Sequence, residues 1–328
     1  MNERLKRVRV FVDKYTIFFI LIAMVIVLMI LSPSFLTVTN LINLLTSESV
    51  RGILALGVCF CICSGGIDLS LGSVAALSGV VAASFAQTAA YSGKFYPNIP
   101  ELPAVVPLLI ALAVGALCGM VSGLTIAYLK IPAFIATLGM TTVARGVANL
   151  YTDAYPVPQF RGEFKQIAQA KIFGGLPGII LWLALIAIIA WFILKYTRFG
   201  KNIYAIGGNR NAARVAGVNI EKNLIGIYTW AGFCAGLAGV LMAARAGSAI
   251  SSMATGYELD GIAAATIGGV SQTGGVGSIP GVLAGILALG VINNGLLVLG
   301  VNPYVQMVVK GVIIVAAVAL DLMKNNRR

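Results

Sequence analysis

The sequence predicts an all-α polytopic membrane protein with about ten transmembrane helices and both termini on the cytoplasmic side. Three observations carry this. Of the 328 residues 59% are hydrophobic and 10% charged, with mean hydropathy +0.95; a soluble domain carries about 25% charged residues. The apolar runs are long and lack the roughly ten-residue alternation of membrane strands. The basic residues gather on alternate connections.

The elements follow in order. Tyr15–Leu31 is an apolar run behind Arg4, Lys6, Arg7, Arg9 and Lys14, and Ser32-Pro33-Ser34 makes a poor cleavage site, so a retained first span is expected. Arg51–Ser64 is a short second span, with LINLLTSES as a possible upstream extension. Leu71–Ala90 is the third, Ala104–Leu129 the fourth and Ala133–Tyr151 the fifth, with Lys130-Ile131-Pro132 as a tight turn. Thr152–Gly178 is a polar loop and Ile179–Leu194 the sixth span. Lys195–Lys222 is the most basic connection. Asn223–Ala244, the short Ile262–Val270, Pro280–Leu299 and Tyr304–Leu320 complete the set. Short or broken segments are expected near 64–73 and 247–278, within a single membrane domain spanning 1–328.

The orientation can be tested on charge. The proposed cytoplasmic connections and termini hold 15 Lys and Arg, the opposite side five. That bias sets N-in and C-in. It also accounts for the net charge of +12 as an orientation signal, with no nucleic acid as partner. The chain has no histidine, which removes the usual general base near neutral pH. Its cysteines, Cys59, Cys61, Cys63, Cys118 and Cys234, lie in apolar runs and read as packing residues. Neither metal nor catalysis is indicated, and the chain is not read as an enzyme. The Gly-rich piece Gly268–Gly277 has no lysine, so it is not a phosphate loop. If ATP drives this protein, another subunit binds it.

Within Lys195–Lys222, the residues Asn211–Gly217 read NAARVAG. This is a short small-faced helix introduced by Gly207 and Gly208 and ended by Gly217. Arg210 and Arg214 share one face. Physics alone leaves two readings open, a docking helix for another protein or an amphipathic helix on anionic lipid.

The segment resembles the E-A-A-x-x-x-G coupling motif of ABC-importer permeases, with Asn211 at the usual Glu position and Ala212, Ala213 and Gly217 matching. SGGIDLSLGS (64–73), TRFGKNIYAIGGN (197–209), YELDGIAAATIGGVSQTGGVGS (257–278) and GVNPYVQMVVKG (300–311) resemble, in the same order, the ribose/galactose/xylose permease family and its galactose/methyl-galactoside branch above all. The resemblance covers nearly the whole chain. It implies a permease subunit of an ATP-driven importer of a galactose/glucose- or ribose-class monosaccharide, in the bacterial inner membrane. It implies a second permease subunit (a homodimer as the simplest case), a cytoplasmic ABC ATPase, and a periplasmic or lipid-anchored sugar-binding protein. It assigns ATPase coupling to Asn211, Ala212, Ala213, Arg214 and Gly217, with no cofactor on this chain and ATP used by the partner.

Ionisable residues in or beside the spans are functional candidates by default. Lys310 needs a partner, and Glu258 or Asp260 supplies one; both acids also suit the first turn of the Ile262 helix. The irregular 247–261 stretch precedes a short span, a pattern that points to a pathway. Sugars are neutral, so hydroxyl and amide side chains suit the path: Ser248, Ser251, Ser252, Thr255, Tyr257, Asn293 and Asn294. Asp68 is expected as the N-cap of a helix starting at Leu69, or as a gate. The alternative function is an ion-coupled secondary sugar transporter using Asp68, Glu258 or Asp260 as a proton or sodium site.

Overall fold

The computed structural model describes residues 21–325 apart from residue 173. The basic N-terminus, the start of the first span at Tyr15 and residues 326–328 lie outside the described residues.

The helices α1 (Leu21–Leu31) and α2 (Val38–Cys63) come first. The Thr37 hydroxyl starts α2 by accepting the Asn40 N–H at 3.4 Å. At 26 residues α2 is about 39 Å long. The expected span 51–64 is therefore only its C-terminal half, and the upstream extension is real helix. Its polar run is accommodated within the helix, where the Thr46 and Ser49 hydroxyls donate to the Ile42 and Leu45 carbonyls, each at 2.6 Å. Next come α3 (Leu71–Phe85), α4 (Val105–Tyr128) and α5 (Ala133–Thr152). The third span thus ends at Phe85 rather than Ala90. Beyond it, Ala86 O accepts the Arg161 N–H at 3.0 Å, and the chain turns into loop.

The polar loop after α5 holds strand β1 (Val157–Pro158), helix α6 (Gly162–Gln169) and the two-stranded β2 (Lys171–Ile172) and β3 (Leu176–Pro177). Then follow α7 (Gly178–Tyr196), α8 (Arg198–Gly208), α9 (Arg210–Val215) and α10 (Ile220–Ala246). Strand β4 (Ser248–Ala249) pairs antiparallel with β1. The last helices are α11 (Tyr257–Ile267), α12 (Ile279–Val298) and α13 (Pro303–Asn325). The eighth piece begins five residues upstream of the expected Ile262, so Glu258 and Asp260 sit inside its first turn.

Among the described residues five helices, α2, α4, α7, α10 and α12, are long and apolar enough to cross a membrane. Burial divides them. In the apolar windows, 83% of α2 and 72% of α10 is buried, against 28% of α4 and 33% of α7. So α2 and α10 form the centre. The outer helices present bare Leu, Ile and Val, such as Leu109, Leu117, Ile135 and Ile188. Such a surface suits lipid and not water.

The tightest seam joins α4 to α10. A side chain at Gly115 would strike the Gly232 carbonyl, one at Gly119 the Tyr228 carbonyl, and one at Gly236 the Ala111 carbonyl. Small residues let the two backbones touch, which is how membrane helices gain packing without a hydrophobic drive. The connections collect at two ends. At one, Gly275 N–H donates to Cys63 O at 2.9 Å and Tyr204 to Gly277 O at 2.9 Å. At the other, Gln169 donates to Ala244 O at 3.1 Å and Arg161 lies 3.2 Å from Glu101. The exposed Glu101 carboxyl is held below its usual range by the Ala89 N–H first, with Arg161 adding to it.

Gly232→Leu should lower the thermal unfolding midpoint of the detergent-purified protein by about 5 °C or more, since backbone blocks the added side chain. Gly139→Leu, facing open space on α5, should leave it unchanged.

Candidate functional site

Helix α2 carries Asn40, Asn43, Ser47 and Arg51 at spacings of three and four, so they share one face. That face, with α10, α11, α12 and α13, encloses a cavity of about 430 Å³. Its polar lining includes Asn40, Asn43, Ser47, Glu48, Arg51, Arg245, Tyr257, Asn293, Asn294, Gln306 and Lys310. The volume lies within the about 300–1,000 Å³ of small-molecule sites.

A charge network forms its wall. Arg51 Nη1 donates to Glu48 Oε1 at 2.7 Å. Arg51 Nε lies 2.8 Å from Asp260 Oδ2, close in distance but off the N–H direction. Lys310 Nζ donates to both Asp260 oxygens, at 3.3 and 3.2 Å. The Arg51 guanidinium lies 4.5 Å over the Tyr257 ring, which fixes it further. Asn40 and Asn294 exchange amide bonds of 2.8 and 3.0 Å. Asn293 Nδ2 reaches Glu48 Oε1 only at 3.5 Å, and its Oδ1 is buried without a partner among the described residues.

Of the residues expected on a path, Tyr257, Asn293 and Asn294 line this cavity; Ser248, Ser251, Ser252 and Thr255 do not. The 247–256 stretch is stitched down elsewhere. Ser248 pairs with Pro158 across β1 and β4, and the Ser251 hydroxyl donates to Asn149 Oδ1 at 2.6 Å. Arg145 donates to the Ser251 carbonyl and, at 3.0 Å, to Met253 O. Thr255 donates to Ser252 O at 2.7 Å on the exposed surface. Of the two expected partners of Lys310, the structure brings Asp260 to it. Glu258 turns toward α3, where a side chain at Gly72 would strike it. Asn40, Asn43, Ser47, Glu48 and Gln306 were not among the expected residues, whereas Arg51 and Arg245 are ionisable candidates beside the spans; the polar spacing on α2 was the available signal.

Asp68 does not cap α3. The helix begins at Leu71 behind Ser70, and no side chain caps it. Asp68 Oδ1 instead accepts the Ser70 N–H at 2.8 Å and the Ser70 hydroxyl at 2.6 Å, two residues on. This local turn closes the stretch between α2 and α3 and buries Asp68 fully. Gly65, at φ +78°, lets the chain reverse there.

At the opposite end from the cavity's mouth, α8 and α9 make two short helices where one was expected. Gly207 and Gly208 do not break the chain but form the end of α8, where a side chain at Gly207 would strike the Cys63 carbonyl. The Asn209 side chain starts α9 by accepting the Ala212 N–H at 2.9 Å. Gly217, at φ +84°, follows it, and Val218 N–H closes on Ala213 O at 3.0 Å. Ala213 is buried, whereas Asn211, Ala212, Arg214 and Val215 are exposed, Val215 at 90%. Arg214 pairs with Glu221 at 2.6 Å. Burial pushes the Tyr204 hydroxyl of α8 up, so it stays a protonated donor to Gly277.

A lipid-facing helical shell around a polar cavity, with a short exposed helix at one end, fits a multi-pass membrane permease. The chain belongs to the family described as branched-chain amino acid transport system / permease component, whose model matches residues 40–318. It is 42% identical to the galactose/methyl galactoside import permease protein of Haemophilus influenzae and 43% to that of Escherichia coli, over 95% of each chain. It is 42% identical to the ribose import permease protein of Escherichia coli, over 93% of this chain and 92% of that one. No solved structure matches it. The chain is thus a membrane component of a transport system and not an enzyme.

Asp260→Asn should destabilise the purified protein by about 3 kcal/mol or more, because it strands Lys310 without its anion. Adding Lys310→Gln should restore part of the loss, since Arg51 keeps Glu48. Denaturation in micelles measures both.

Proposed function

We propose that this chain is the membrane-spanning permease subunit of an ATP-driven monosaccharide importer of the galactose/glucose or ribose class. The observation that carries the reading is 42–43% identity over nearly full length to import permeases for galactose/methyl galactoside and ribose. The exposed α9 face supports it: Asn211, Ala212, Arg214 and the bare Val215 offer a small-residue surface for a cytoplasmic ABC ATPase. Gly217 and the buried Ala213 fix the shape of that surface.

In this reading the five long helices cross the bilayer together with α1, α3, α5, α11 and α13, making the expected ten crossings with both termini inside. A second copy of the chain completes the path. A periplasmic or lipid-anchored sugar-binding protein delivers substrate at the end where Glu101, Arg161 and the β1–β4 pair lie. ATP is bound and hydrolysed by the partner, whose closure moves α9. The membrane is the bacterial inner membrane.

The ion-coupled alternative finds less support. Asp260 already faces two cations, Arg51 and Lys310, so a proton or sodium ion there would compete with fixed charge. Asp68 lies fully buried in its own turn with Ser70.

Import by reconstituted vesicles should require ATP, the ATPase and the binding protein, and should persist when an uncoupler is added at constant ATP. Import by this chain alone on an ion gradient would overturn the reading. Val215→Asp should cut ATPase co-purification by about tenfold, as loss of a central apolar contact does, with the chain still folded.

A further inference from the structure

A second cavity lies at the α8 end of the bundle, where the turn from α4 into α5 meets α9 and the start of α10. It encloses about 370 Å³, and its polar lining includes Lys130, Arg210, Asn211, Arg214 and Glu221. We propose that this cavity binds the phosphate-bearing headgroup of an anionic phospholipid, held by Lys130 and Arg210 at the membrane surface.

The charges of the lining call for an anion. Three are cations and one is an acid, and that acid, Glu221, is taken by Arg214 at 2.6 Å. Lys130 and Arg210 are exposed and have no ion pair among the described residues. Asp68 does not enter the lining; it is fully buried and bonds Ser70. The cations reach the cavity from separate elements, Lys130 from the turn between α4 and α5, Arg210 and Arg214 from one face of α9. Helix α5 adds to the positive field at the rim, because it opens on Pro132 with no side-chain cap and no acid in its first turn.

Position selects a lipid over a dissolved phosphate ester. The turn that ends α4 and begins α5 sits at the depth where headgroups meet a spanning helix. Tyr128, Leu129, Phe134 and Ile135 are bare on either side of Lys130, an apolar flank for acyl chains. Basic pockets between the ends of membrane helices take such headgroups. Helix α9 then serves two partners: Val215 stays bare for the ATPase, while the arginines face the cavity. A headgroup there ties α9 to the α4–α5 turn, so lipid composition bears on coupling. That consequence rests on the permease reading; the site itself does not.

The test uses the permease–ATPase complex purified in detergent and titrated with dioleoyl phosphatidylglycerol or dioleoyl phosphatidylcholine. Native mass spectrometry reads the retained adducts. Phosphatidylglycerol should be retained at least about fivefold more tightly than phosphatidylcholine. The double variant Lys130→Gln, Arg210→Gln should abolish that preference with phosphatidylcholine unchanged; neither side chain has an ion-pair partner for the fold to lose. Arg198→Gln with Lys201→Gln removes the same charge from exposed positions on α8 outside the cavity and should leave the preference intact. No preference in the unsubstituted protein, or equal loss in both double variants, would overturn the site. Millimolar sn-glycerol 3-phosphate should not displace the lipid; displacement would overturn the lipid assignment in favour of a dissolved phosphate ester. A chain that assembles with no ATPase would overturn the permease reading, and the same titration on the chain alone then decides the site.

Discussion

Hydrocarbon offers no hydrogen-bond partner, so each polar group that a helix carries into the membrane must be met from within the protein. Helix α2 carries several, on one face, from Asn40 to Arg51. The rest of the cavity end is arranged around that face. Helix α12 brings Asn294 to Asn40 and Asn293 to Glu48. Helix α11 brings Asp260 to Arg51, and α13 brings Lys310 to Asp260. Asp260 is the node, because it receives cations from two helices that are far apart in sequence. Buried ion pairs of this kind add little net stability against an apolar core, but removing one partner is costly. They therefore fix which helices sit together more than how tightly they hold.

The membrane class and most spans were legible, because a long apolar run has few other uses. What the sequence hid was whatever depends on contact. The TSES run at 46–49 was readable only as a possible extension of the second span; the Thr46 and Ser49 hydroxyls are satisfied within their own helix, and α2 runs on through them. Without that extension the polar spacing Asn40, Asn43, Ser47, Arg51 had no helix to lie on, and half of the cavity was invisible. Asp68 looked like a cap because acids commonly precede helices; the helix starts later, and Asp68 bonds Ser70 instead. The need of Lys310 for an acid was readable, whereas the choice between Glu258 and Asp260 depends on which way the first turn of α11 faces. The serines of 248–252 have the right chemistry, but strand pairing and Arg145 hold that stretch away from the cavity.

Glycine does at the α8 end what charge does at the cavity end. The end of α2, the end of α8 and the 273–277 turn approach so closely that Gly207 and Gly274 have no room for a side chain. Gly275 N–H on Cys63 O and Tyr204 on Gly277 O then tie the three pieces together. Helix α8 is thereby tied to the helix bundle, while α9 beyond Asn209 exposes most of its residues. That division places the boundary between rigid core and presented surface at the Asn209 cap.

Between the two ends runs α10. Its 27 residues make a rod of about 40 Å. It begins one short turn after α9, where Glu221 pairs with Arg214, and it ends at Gly247 beside β4. Along its length its glycines lie against α4 and α3: Gly232 and Gly236 against α4, and Gly239 against the Ala75 carbonyl of α3. Backbone-to-backbone contact leaves no flexible side chain to absorb a displacement. A push on α9 would therefore shift α10 together with α3 and α4, or not at all. Arg245, near the outer end of α10, lines the cavity and donates to Thr46 O at 3.3 Å and Ser47 Oγ at 3.2 Å on α2. One continuous helix thus runs from the turn after α9 to the wall of the polar cavity. A displacement of α9 would pass to it through the 216–219 turn, which the Arg214–Glu221 pair bridges.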